Sequence, residues 1–467
     1  MKKLSDLYSG YPDIDIKDIK INSKQVEQGD IFICTHGVTA DRHDFIDDAI
    51  EHGASAIVAE RKFDISVPLI IVPDTNKELS LLASRFYDHP ENKLQLLAVT
   101  GTNGKTTVAS ITKTLIGDSC GYLGTNGLIY KDVKKSIVNT TPDADRLYKY
   151  FKELVDNDCE YVSIETSSEA FFRKRLDNLS FKVAAITNIT EDHLNIHKTI
   201  ENYVACKMEI LKKVSNDGVS ILNVDDEHYL ECLKKVKGKV LTYGKNDATM
   251  QIKNIKLFYD HTEFVISYEG KDYNINSPLL GEFNCYNLCC SMLTLIAIGY
   301  DIEEIIKNIY KISPPSGRVQ FLNYKQNYKI VLDYAHTPDA FTKLYSFLNQ
   351  IKTNRLITVT GSAGGRESEK RGPMGKIVLD NSDLVIFTMD DPRNEDVNSI
   401  IDDLVSNSDK KNYKRIIDRK EAINYALSIA KEDDIILIAG KGTDNYMALG
   451  NEYLPYSDLE VIEDYFK

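Results

Sequence analysis

The sequence predicts an α/β protein of three domains. Its 467 residues correspond to about three domains of roughly 150 residues each. Short apolar runs alternate with stretches of helical spacing, a pattern typical of parallel sheets covered by helices. Turn-rich segments at 88–93 and 313–318 divide the pattern into three blocks. We therefore expect domains at residues 1–91, 92–315 and 316–467.

The first block reads as a small α/β domain. Its apolar runs are DIFIC (30–34), SAIVAE (55–60) and PLIIVP (68–73). Between the first two, DFIDDAIEHG (44–53) has helical spacing and ends in a glycine, the residue that most often caps a helix C-terminus. The segment DHPENK (88–93) is expected to be a linker.

The second block predicts a mostly parallel sheet that begins with a nucleotide-binding unit. The run LQLLAVT (94–100) is followed by a glycine-rich turn and by a helical stretch from Lys105 to about Ile116. Further strand-like runs, separated by helical stretches, are EYVSIE (160–165), KVAAITNI (182–189) and GVSILNV (218–224).

The third block predicts a Rossmann-like domain. Helical stretches separate five apolar runs: KIVLDYA, RLITVTGS, DLVIFTMDD, KRIID and DDIILIAGKG. Ligands of such sheets bind at the carboxyl ends of the strands. The polar residues that follow these runs, among them Asp333, Gly361, Asp390 and Gly440, are therefore candidates for a binding site.

The composition excludes several classes of protein. The net charge is −13, which disfavours a broad basic surface for nucleic acid or membranes. There is no run of 18 apolar residues, and the first residues carry no apolar signal segment, so we expect a cytoplasmic chain without membrane insertion. The eight cysteines form no C-x-x-C pair, and we expect buried thiols in a reducing compartment.

The segment VTGTNGKTTVAS (99–110) is the sharpest chemical signal. It lies between a predicted strand and a predicted helix, where glycine-loop N–H groups and a helix N-terminus can hold phosphate. Lys105 can reach the β- and γ-phosphates, and the hydroxyl of Thr106 can bind Mg²⁺. A chance glycine turn is the alternative, but the strand–turn–helix context favours a phosphate loop and ATP.

The variant T-G-T-N-G-K-T-T resembles the loop of the Mur ligases, ATP-dependent enzymes that build the peptide of bacterial cell-wall precursors, and of the related folylpolyglutamate synthases. The resemblance covers nearly the whole chain. Further segments similar to motifs of this family are KVAAITNITEDHLNIH (182–197), YVACKMEIL (203–211), GEFNCYN (281–287), SGRVQ (316–320) and LDYAHTPDA (332–340).

Other segments narrow the resemblance to the MurE type, the UDP-N-acetylmuramoyl-tripeptide synthetases. At the N-terminus, INSKQVEQGDIFI (21–33) is similar to the family's uridine-site pattern, with Asn22 and Lys24 substituted. The segments that resemble the substrate-binding and amino-acid-binding regions of this type are YLGTNGLIY (122–130), NTTPD (139–143), DDPRNED (390–396) and AGKGTDNY (439–446).

The resemblance implies an acid–amino-acid ligase. ATP would activate the D-glutamate carboxylate of UDP-N-acetylmuramoyl-L-alanyl-D-glutamate as an acyl phosphate, which the amine of a diamino acid then attacks. The cofactor implied is Mg²⁺, with ATP as co-substrate, and the partners implied are small molecules rather than nucleic acid. The diamino acid stays open between meso-2,6-diaminopimelate and L-lysine: Arg393 favours the former, and Thr443 weakens that preference.

The family motifs assign roles to residues on the ATP side. Those implied in ATP binding are Gly101, Thr102, Asn103, Gly104, Lys105, Thr106, Thr107, Asn284, Asn287, Arg318 and Asp333. Those implied in catalysis are Lys105, Glu165, His193 and Lys207. Those implied in metal binding are Thr106, Glu165, His193 and Lys207, the last as a carbamate (N6-carboxylysine). From the residues alone, the two asparagines could instead cap a helix.

The family motifs also imply which residues bind the other two substrates. Those implied in binding the nucleotide-sugar dipeptide are Ser23, Val38, Thr39, Ala40, Asn139, Thr140, Thr141, Ser167, Arg173 and Arg175. Those implied in binding the amino acid are Arg366, Asp390, Asp391, Pro392, Arg393, Gly440 and Asp444. Arginines suit carboxylates and phosphates by bidentate pairing, although the RKRL segment could also be a solvated face.

Two positions depart from the family pattern. Glu169 stands where the family has histidine, and Asn195 stands where it has aspartate. Two alternatives stay open: another ligase of the superfamily, such as a folylpolyglutamate synthase, and, because of these two departures, a nucleotide-binding relative that has lost catalysis. The uridine-like motif and the D-D-P-R segment argue against the first, and the retained Lys105 and Glu165 argue against the second.

Overall fold

Three main sheets, one in each predicted block, organise the chain. The structure is a computed structural model that describes residues 1–37, 41–314, 317–365 and 368–467, with the side chain of Asn195 outside the description. The α/β class expected from the sequence is confirmed. The exact domain boundaries at 91/92 and 315/316 stay proposals.

The N-terminal sheet is parallel, in the order β3-β4-β5-β6, and a small antiparallel pair, β1 with β2, lies beside it. Its strands are Lys2–Lys3 (β1), Asp15–Ile16 (β2), Ile19–Lys20 (β3), Ile31–Ile33 (β4), Ala56–Ala59 (β5) and Leu69–Ile71 (β6). Its helices are Leu4–Leu7 (α1), Ile46–Glu51 (α2) and Thr75–Phe86 (α3), with 3₁₀ turns at Ser23–Gln25, Arg42–Phe45 and Pro90–Lys93. The last turn shows that the expected linker has regular structure.

The central sheet has eleven strands in the order β10-β9-β8-β11-β7-β12-β13-β14-β15-β16-β17. These strands are Gln95–Thr100 (β7), Cys120–Gly124 (β8), Gly127–Tyr130 (β9), Val133–Lys135 (β10), Tyr161–Glu165 (β11), Phe181–Ile186 (β12), Val214–Asn223 (β13), Lys239–Gly244 (β14), Met250–Leu257 (β15), Thr262–Tyr268 (β16) and Lys271–Ser277 (β17). The strands from β8 to β15 in this order are parallel, as predicted, but both ends of the sheet are antiparallel hairpins.

Helices cover both faces of the central sheet. These helices are Lys105–Ile116 (α4), Ala144–Asp156 (α5), Ser168–Phe172 (α6), Leu194–His197 (α7), Ile200–Lys212 (α8), Tyr229–Leu233 (α9), Glu282–Ala297 (α10) and Ile302–Asn308 (α11), with a 3₁₀ turn at Ile309–Lys311. Helix α10 is buried over most of its length and packs against α4. Its adjacent Cys289 and Cys290 are fully buried, and all eight cysteines are free thiols.

The C-terminal sheet has the order β18-β19-β23-β20-β21-β22, with only β18 antiparallel. Its strands are Gln320–Leu322 (β18), Lys329–Asp333 (β19), Leu356–Thr360 (β20), Leu384–Phe387 (β21), Tyr413–Arg415 (β22) and Ile435–Ala439 (β23), followed by the hairpin Tyr446–Leu449 (β24) and Glu452–Pro455 (β25). Its helices are Pro338–Ile351 (α12), Arg371–Asn381 (α13), Val397–Val405 (α14), Arg419–Ser428 (α15) and Asp458–Tyr465 (α16).

One hydrophobic core is shared between the first two domains. Helix α3 packs against α5, so Leu82 of the N-terminal domain and Phe151 of the central domain belong to the same buried cluster. Burial of apolar area is the main stabilising contribution to folding, and here it also fixes the position of one domain on the other. Within the described parts of the chain, no helix has the length and apolar character needed to cross a membrane.

Candidate active site

The phosphate loop joins β7 to α4 and requires its glycines. Gly101 and Gly104 have φ of +150° and +88°, in the region that side chains disfavour. A Cβ at Gly101 would lie 1.8 Å from Oγ1 of Thr187, and one at Gly104 would lie 2.4 Å from Oδ1 of Asn287. The loop therefore brings bare backbone to the N-terminus of a 12-residue helix, where N–H groups can bind phosphate.

Lys105 folds back over this loop. Its Nζ donates to the carbonyl oxygens of Gly101, at 2.9 Å, and of Thr102, at 3.0 Å. Burial lowers the pKa of the Lys105 ammonium, while the charges of Glu165 and Asp192 oppose that shift. The lysine thus lies where a bound phosphate chain would meet it.

Glu165 ends β11 beside the loop and is completely buried. Its carboxylate accepts hydrogen bonds from the Thr106 hydroxyl at 2.9 Å, the Tyr122 hydroxyl at 2.5 Å and the Thr125 backbone N–H at 3.0 Å. A Cβ at Gly124 would lie 2.2 Å from its Oε1, so this carboxylate is also held by close packing. The oxygens of Thr106 and Glu165, brought together in this way, fit a hard divalent cation.

Lys207 lies on α8 and is buried at 1% exposure. Its Nζ donates to the Gly101 carbonyl at 2.8 Å and lies 4.6 Å from the centre of the Tyr203 ring. Burial, together with the positive charge of Lys105, holds the pKa of Lys207 well below its usual range. These surroundings disfavour the ammonium form of Lys207 and favour the neutral amine, the form that reacts with carbon dioxide to give a carbamate.

A second cluster of charged and titratable side chains lies near the loop. Of its members, the sequence prediction named only His193. Asp192 is buried, and its Oδ2 lies 3.5 Å from Nε2 of the predicted residue His193. Lys370, from the C-terminal domain, lies 4.0 Å from Asp192. Burial and, to a smaller extent, the charge of Lys370 lower the pKa of the neighbouring His336 to about 4. The D-H-L and D-Y-A-H motifs contain Asp192, His193 and His336, but only the fold brings these residues and Lys370 together.

A cleft of about 700 Å³ extends from the loop between the central and C-terminal domains. Asn284 and Asn287 line it from α10, with Nδ2 of Asn287 donating to Oδ1 of Asn284 at 2.9 Å. The capping alternative for these asparagines is wrong, because the N-cap of α10 is Gly281.

The C-terminal wall of this cleft carries Arg318 and Asp333. The guanidinium of Arg318 lies 4.7 Å from the centre of the Tyr334 ring. Asp333 accepts from the backbone N–H groups of Val319 and Ala335, each at 2.7 Å, and so fixes the turn that carries Arg318.

Beyond Glu165, several residues that were predicted to bind the nucleotide-sugar dipeptide contact one another on the side of the N-terminal domain. The Thr141 hydroxyl donates to the Glu165 backbone carbonyl at 2.9 Å and accepts from the Ser167 N–H at 2.9 Å. Arg175 is buried and donates to the Thr141 carbonyl at 3.0 Å and to Asp143 at 2.6 Å. The solvated-face alternative is therefore wrong for Arg175.

The remaining predicted residues of this group are spread around it. Thr140 lines the cleft and its hydroxyl lies 3.2 Å from that of Thr125, Asn139 is exposed, and Ser23 is buried in the N-terminal domain. Glu169, the departure from the family pattern, pairs with Arg173 at 2.7 Å. Val38, Thr39 and Ala40 lie outside the described residues.

The described residues that were predicted to bind the amino-acid substrate lie at the carboxyl edge of the C-terminal sheet. Lys441 is fully buried, and its Nζ lies 2.8, 3.9 and 3.8 Å from carboxylate oxygens of Asp391, Asp390 and Asp444. Burial raises the pKa of Asp444 to about 6, and the Lys441 charge opposes that shift. The sequence did not assign Lys441 a role, although the G-K-G segment contains it.

Three other predicted residues belong to this edge of the sheet. Arg393 donates to the Gly364 carbonyl at 2.8 Å, and Pro392 lies so close to Gly364 that a Cβ there would be 1.9 Å from the Pro392 carbonyl oxygen. Gly440 has φ of +115°, and a Cβ there would lie 2.3 Å from Asp390. Arg366 lies outside the described part of the chain.

The fold and the site together define an ATP-using enzyme whose active site lies between domains. Three family models match the sequence: the Mur ligase family catalytic domain at residues 15–90, the Mur ligase middle domain at 99–295 and the Mur ligase glutamate ligase domain at 317–442. The chain belongs to the Mur ligase family, and it is an ATP-dependent ligase that joins an acid to an amino acid.

Individual relatives match over nearly their full length. The UDP-N-acetylmuramoyl-L-alanyl-D-glutamate–2,6-diaminopimelate ligase of Bacillus cereus is 36% identical over 96% of this chain and 94% of its own. The ligase of the same name from Clostridium tetani is 35% identical over 99% and 98%. A UDP-N-acetylmuramyl-tripeptide synthetase of Oceanobacillus iheyensis is 36% identical over 96% and 93%.

Solved structures show the same architecture. A structure of a UDP-N-acetylmuramoyl-L-alanyl-D-glutamate–2,6-diaminopimelate ligase, 27% identical, matches with a TM-score of 0.70 over 100% of this chain and 99% of that one. The MurF ligase of Thermotoga maritima in complex with ADP, at 20% identity, has a TM-score of 0.69 over 98% of both chains, which shows the fold.

Proposed function

We propose that this ligase adds meso-2,6-diaminopimelate to UDP-N-acetylmuramoyl-L-alanyl-D-glutamate, with formation of an amide bond at the D-glutamate side chain. The observation that carries the choice of amino acid is the pairing of opposite charges at one edge of the C-terminal sheet. Arg393 offers a guanidinium for a carboxylate, and the acids around Lys441 offer partners for an ammonium group. The names of the relatives support the same substrates.

The first chemical step would bring two anions together. The γ-carboxylate of the D-glutamyl residue attacks the γ-phosphorus of ATP, the bond to the β–γ bridging oxygen breaks, and ADP leaves. Lys105 and the loop N–H groups would neutralise charge that develops on the phosphate oxygens. The amine of the amino acid then attacks the acyl phosphate carbonyl, loses a proton, and phosphate leaves.

The residues present fit the metal that this chemistry uses. When bound, Mg²⁺ would neutralise phosphate charge and hold the reacting oxygens in place. Thr106 and Glu165 would hold one ion, while His193 and Lys207, as a carbamate, would hold a second. The burial of Lys207, which lowers its pKa, supports this role, since carbamylation exchanges a desolvated amine for an anionic ligand.

The proposed reaction places the chain in cytoplasmic synthesis of the peptidoglycan precursor. Each domain would bring one reactant: the N-terminal domain the nucleotide sugar, the central domain ATP, and the C-terminal domain the amino acid. Val38–Ala40 and Arg366 keep the roles that the family motifs imply for them. A folylpolyglutamate synthase activity is disfavoured by the N-terminal domain and its uridine-like motif.

The test is an amino-acid panel. Purified protein is supplied with ATP, Mg²⁺, the UDP-muramoyl dipeptide and either meso-diaminopimelate, L-lysine or L-ornithine, and phosphate and the amide product are both measured. We expect product with meso-diaminopimelate at an efficiency at least tenfold above that with L-lysine. A preference for L-lysine, which the Thr443–Asp444 pair would favour, would overturn the assignment of the amino acid. No product with any of the three would overturn the ligase reaction itself.

A further inference from the structure

A fully buried ion pair lies at the carboxyl edge of the C-terminal sheet. Arg419, the first residue of α15, donates from Nε to Oδ1 and from Nη2 to Oδ2 of Asp458, the first residue of α16, each at 2.8 Å. Neither side chain is accessible to solvent. The Tyr456 hydroxyl also donates to Oδ1 of Asp458, at 2.9 Å. A bidentate pair of this kind fixes the guanidinium in one orientation.

The same guanidinium binds two loops of the sheet. Nη2 of Arg419 donates to the carbonyl oxygen of Ala439, the last residue of β23, at 2.9 Å. Nη1 makes a longer contact, of 3.4 Å, with the carbonyl oxygen of Met389, which follows β21. The strand β20 lies between β23 and β21 in the sheet. Arg419 therefore reaches across the carboxyl end of β20 and ties together two loops that are not neighbours.

The two bound carbonyl groups immediately precede residues that were predicted to bind the amino-acid substrate. Asp390 directly follows one of them, and Gly440 and Lys441 directly follow the other. Lys441 in turn donates to Oδ1 of Asp391 at 2.8 Å, so the two loops meet at this lysine. A displacement of either loop would therefore move the acids of the site.

The loops also approach each other closely at Gly440. Its φ is +115°, and a Cβ there would lie 2.3 Å from Oδ2 of Asp390 and 4.0 Å from Nη2 of Arg419. The guanidinium thus lies close to the point at which the loops touch. Its two backbone contacts set the spacing of the loops at that point.

This spacing matters because the site is built from carboxylates. Three of them surround Lys441, with oxygens 2.8 to 3.9 Å from its Nζ, whereas the charge of Arg419 is committed to Asp458. The three acids therefore offer oxygens that a further cation, the ammonium group of a substrate, can bind. Oxygens that are held in place in advance need not be ordered when the ligand binds, so a fixed spacing favours affinity.

We propose that Arg419 and Asp458 are positioning residues for the amino-acid substrate, an inference that rests on the function proposed above. The pair holds the loops after β21 and β23 at the spacing at which their acids receive the ammonium group. Neither residue touches the substrate in this role, since both act through the loops that Arg419 binds. The amino-acid site is thereby built partly by α15 and α16, which contain none of the residues that the family motifs imply for it.

The experiment replaces both members of the pair, because removal of one alone would leave an uncompensated buried charge. The double variant Arg419→Met, Asp458→Asn is compared with a matched control, Arg355→Met, Asp434→Asn. Arg355 and Asp434 form another bidentate pair at the opposite edge of the same sheet, directly before β20 and β23. Steady-state kinetics gives kcat and KM for each of the three substrates, and the melting temperature of each protein is recorded.

We expect the Arg419–Asp458 double variant to raise KM for the amino acid about tenfold, because the acids lose their placement around a charged group. KM for ATP, KM for the dipeptide substrate and kcat should stay within about twofold of wild type, since only binding of the amino acid is affected. The control should leave all three KM values unchanged even where its melting temperature falls as far. Tyr456→Phe, which removes one hydrogen bond from Asp458, should raise KM for the amino acid about threefold.

The double variant gives the answer if it folds, and Tyr456→Phe gives it otherwise. An unchanged KM for the amino acid would show that the pair serves stability alone and would overturn the inference. An equal rise of all three KM values, or the same rise in the control, would overturn it as well. The amino acid used is the one that the wild-type protein prefers, so a preference for L-lysine leaves the test intact. Absence of amide product from the wild-type protein with every diamino acid would contradict the proposed function and this inference together.

Discussion

Lys207 shows how its surroundings change the chemistry of a single side chain. On sequence alone it is one of two lysines on α8, and only its position in a family motif distinguishes it from Lys212. In the structure it is buried against a loop carbonyl and an aromatic ring, with Lys105 nearby. Desolvation disfavours the ammonium form, so the amine is available for carbamylation.

We expect Lys207→Ala to lower kcat by about 100-fold or more, because the loss of a group that places the metal has effects of at least that order. Short carboxylic acids added to this variant should restore part of the activity, since they can supply the missing anionic oxygens. The measurement is steady-state phosphate release with and without the added acid. Lys212→Ala, at an exposed lysine on the same helix that pairs with Glu209, is the control. Unchanged activity of Lys207→Ala would contradict the carbamate role.

The motif residues could be predicted because the chemistry needs those side chains next to a glycine-rich phosphate loop. Lys105, Glu165 and Lys207 meet at the loop as the motifs imply. Lys441 could not be predicted, since its position among buried carboxylates depends on Asp390 and Asp391, which lie far away in sequence.

Two loops at the edge of the C-terminal sheet are held together by an ion pair at the start of α13. Arg371 is fully buried, and its Nη1 and Nη2 lie 2.5 and 2.8 Å from the two carboxylate oxygens of Glu395. Glu395 also accepts from the Gly365 N–H at 2.9 Å, and Arg371 donates to the Ala363 carbonyl at 3.0 Å. The segment that carries Arg393 is therefore tied to the loop after β20.

The hydrogen bonds from Arg371 lower the pKa of Glu395 from an ordinary value of 4.5 to about 2. The ionised pair therefore stabilises the fold fully above pH 4.5, and this contribution is lost as the pH falls toward 2. After allowance for solvent screening, we expect Glu395→Gln to cost about 1 kcal/mol at pH 7, or roughly 2–4 °C in melting temperature.

Melting temperatures of Glu395→Gln and of wild type, measured from pH 7 down to pH 3, check this expectation. The difference between the two proteins should narrow below pH 4.5. Glu432→Gln, at an exposed carboxylate of the same domain, should show no such difference. A difference that stays constant across this range would assign the effect to packing rather than to the charge of Glu395.

Elements were predictable where a strand is buried on both faces. The strands β7, β11, β20 and β23 are apolar over most of their length and almost entirely buried, as is typical of parallel strands between two layers of helices. The hairpins β15–β17 were not predicted, because buried and accessible residues alternate along them and the apolar signal of each strand is weak. The hairpin of β24 and β25 was not predicted either, and β25 is exposed throughout.

The relative position of the central and C-terminal domains is set partly by contacts at the cleft. Nδ2 of Asn103, in the phosphate loop, donates to Oδ2 of Asp339 on α12 at 2.7 Å, and Lys343 shares the same carboxylate oxygen at 2.7 Å. An acyl phosphate formed in an incompletely closed cleft is exposed to water. This contact therefore links closure of the molecule to the yield of the reaction.

We expect Asp339→Ala to raise KM for the amino acid about fivefold, the effect of losing one hydrogen bond worth near 1 kcal/mol. More than one phosphate should then be released for each amide formed, because water competes for the intermediate. The ratio of phosphate to amide is the measurement. Asp380→Ala removes a similar i,i+4 lysine pair on α13, and its ratio should remain at one. A ratio of one in both variants would exclude a role of Asp339 in closure.

The shared core between α3 and α5 has a consequence for how such chains can change over time. Because Leu82 and Phe151 pack in one cluster, a substitution on either helix changes the packing of both domains. The N-terminal domain is thus not packed independently of the central domain. In a chimaera of two relatives joined near residue 91, the packing surfaces of α3 and α5 would come from different proteins and would not match. Exchange of the nucleotide-sugar module would have to transfer the matching face of α5 as well.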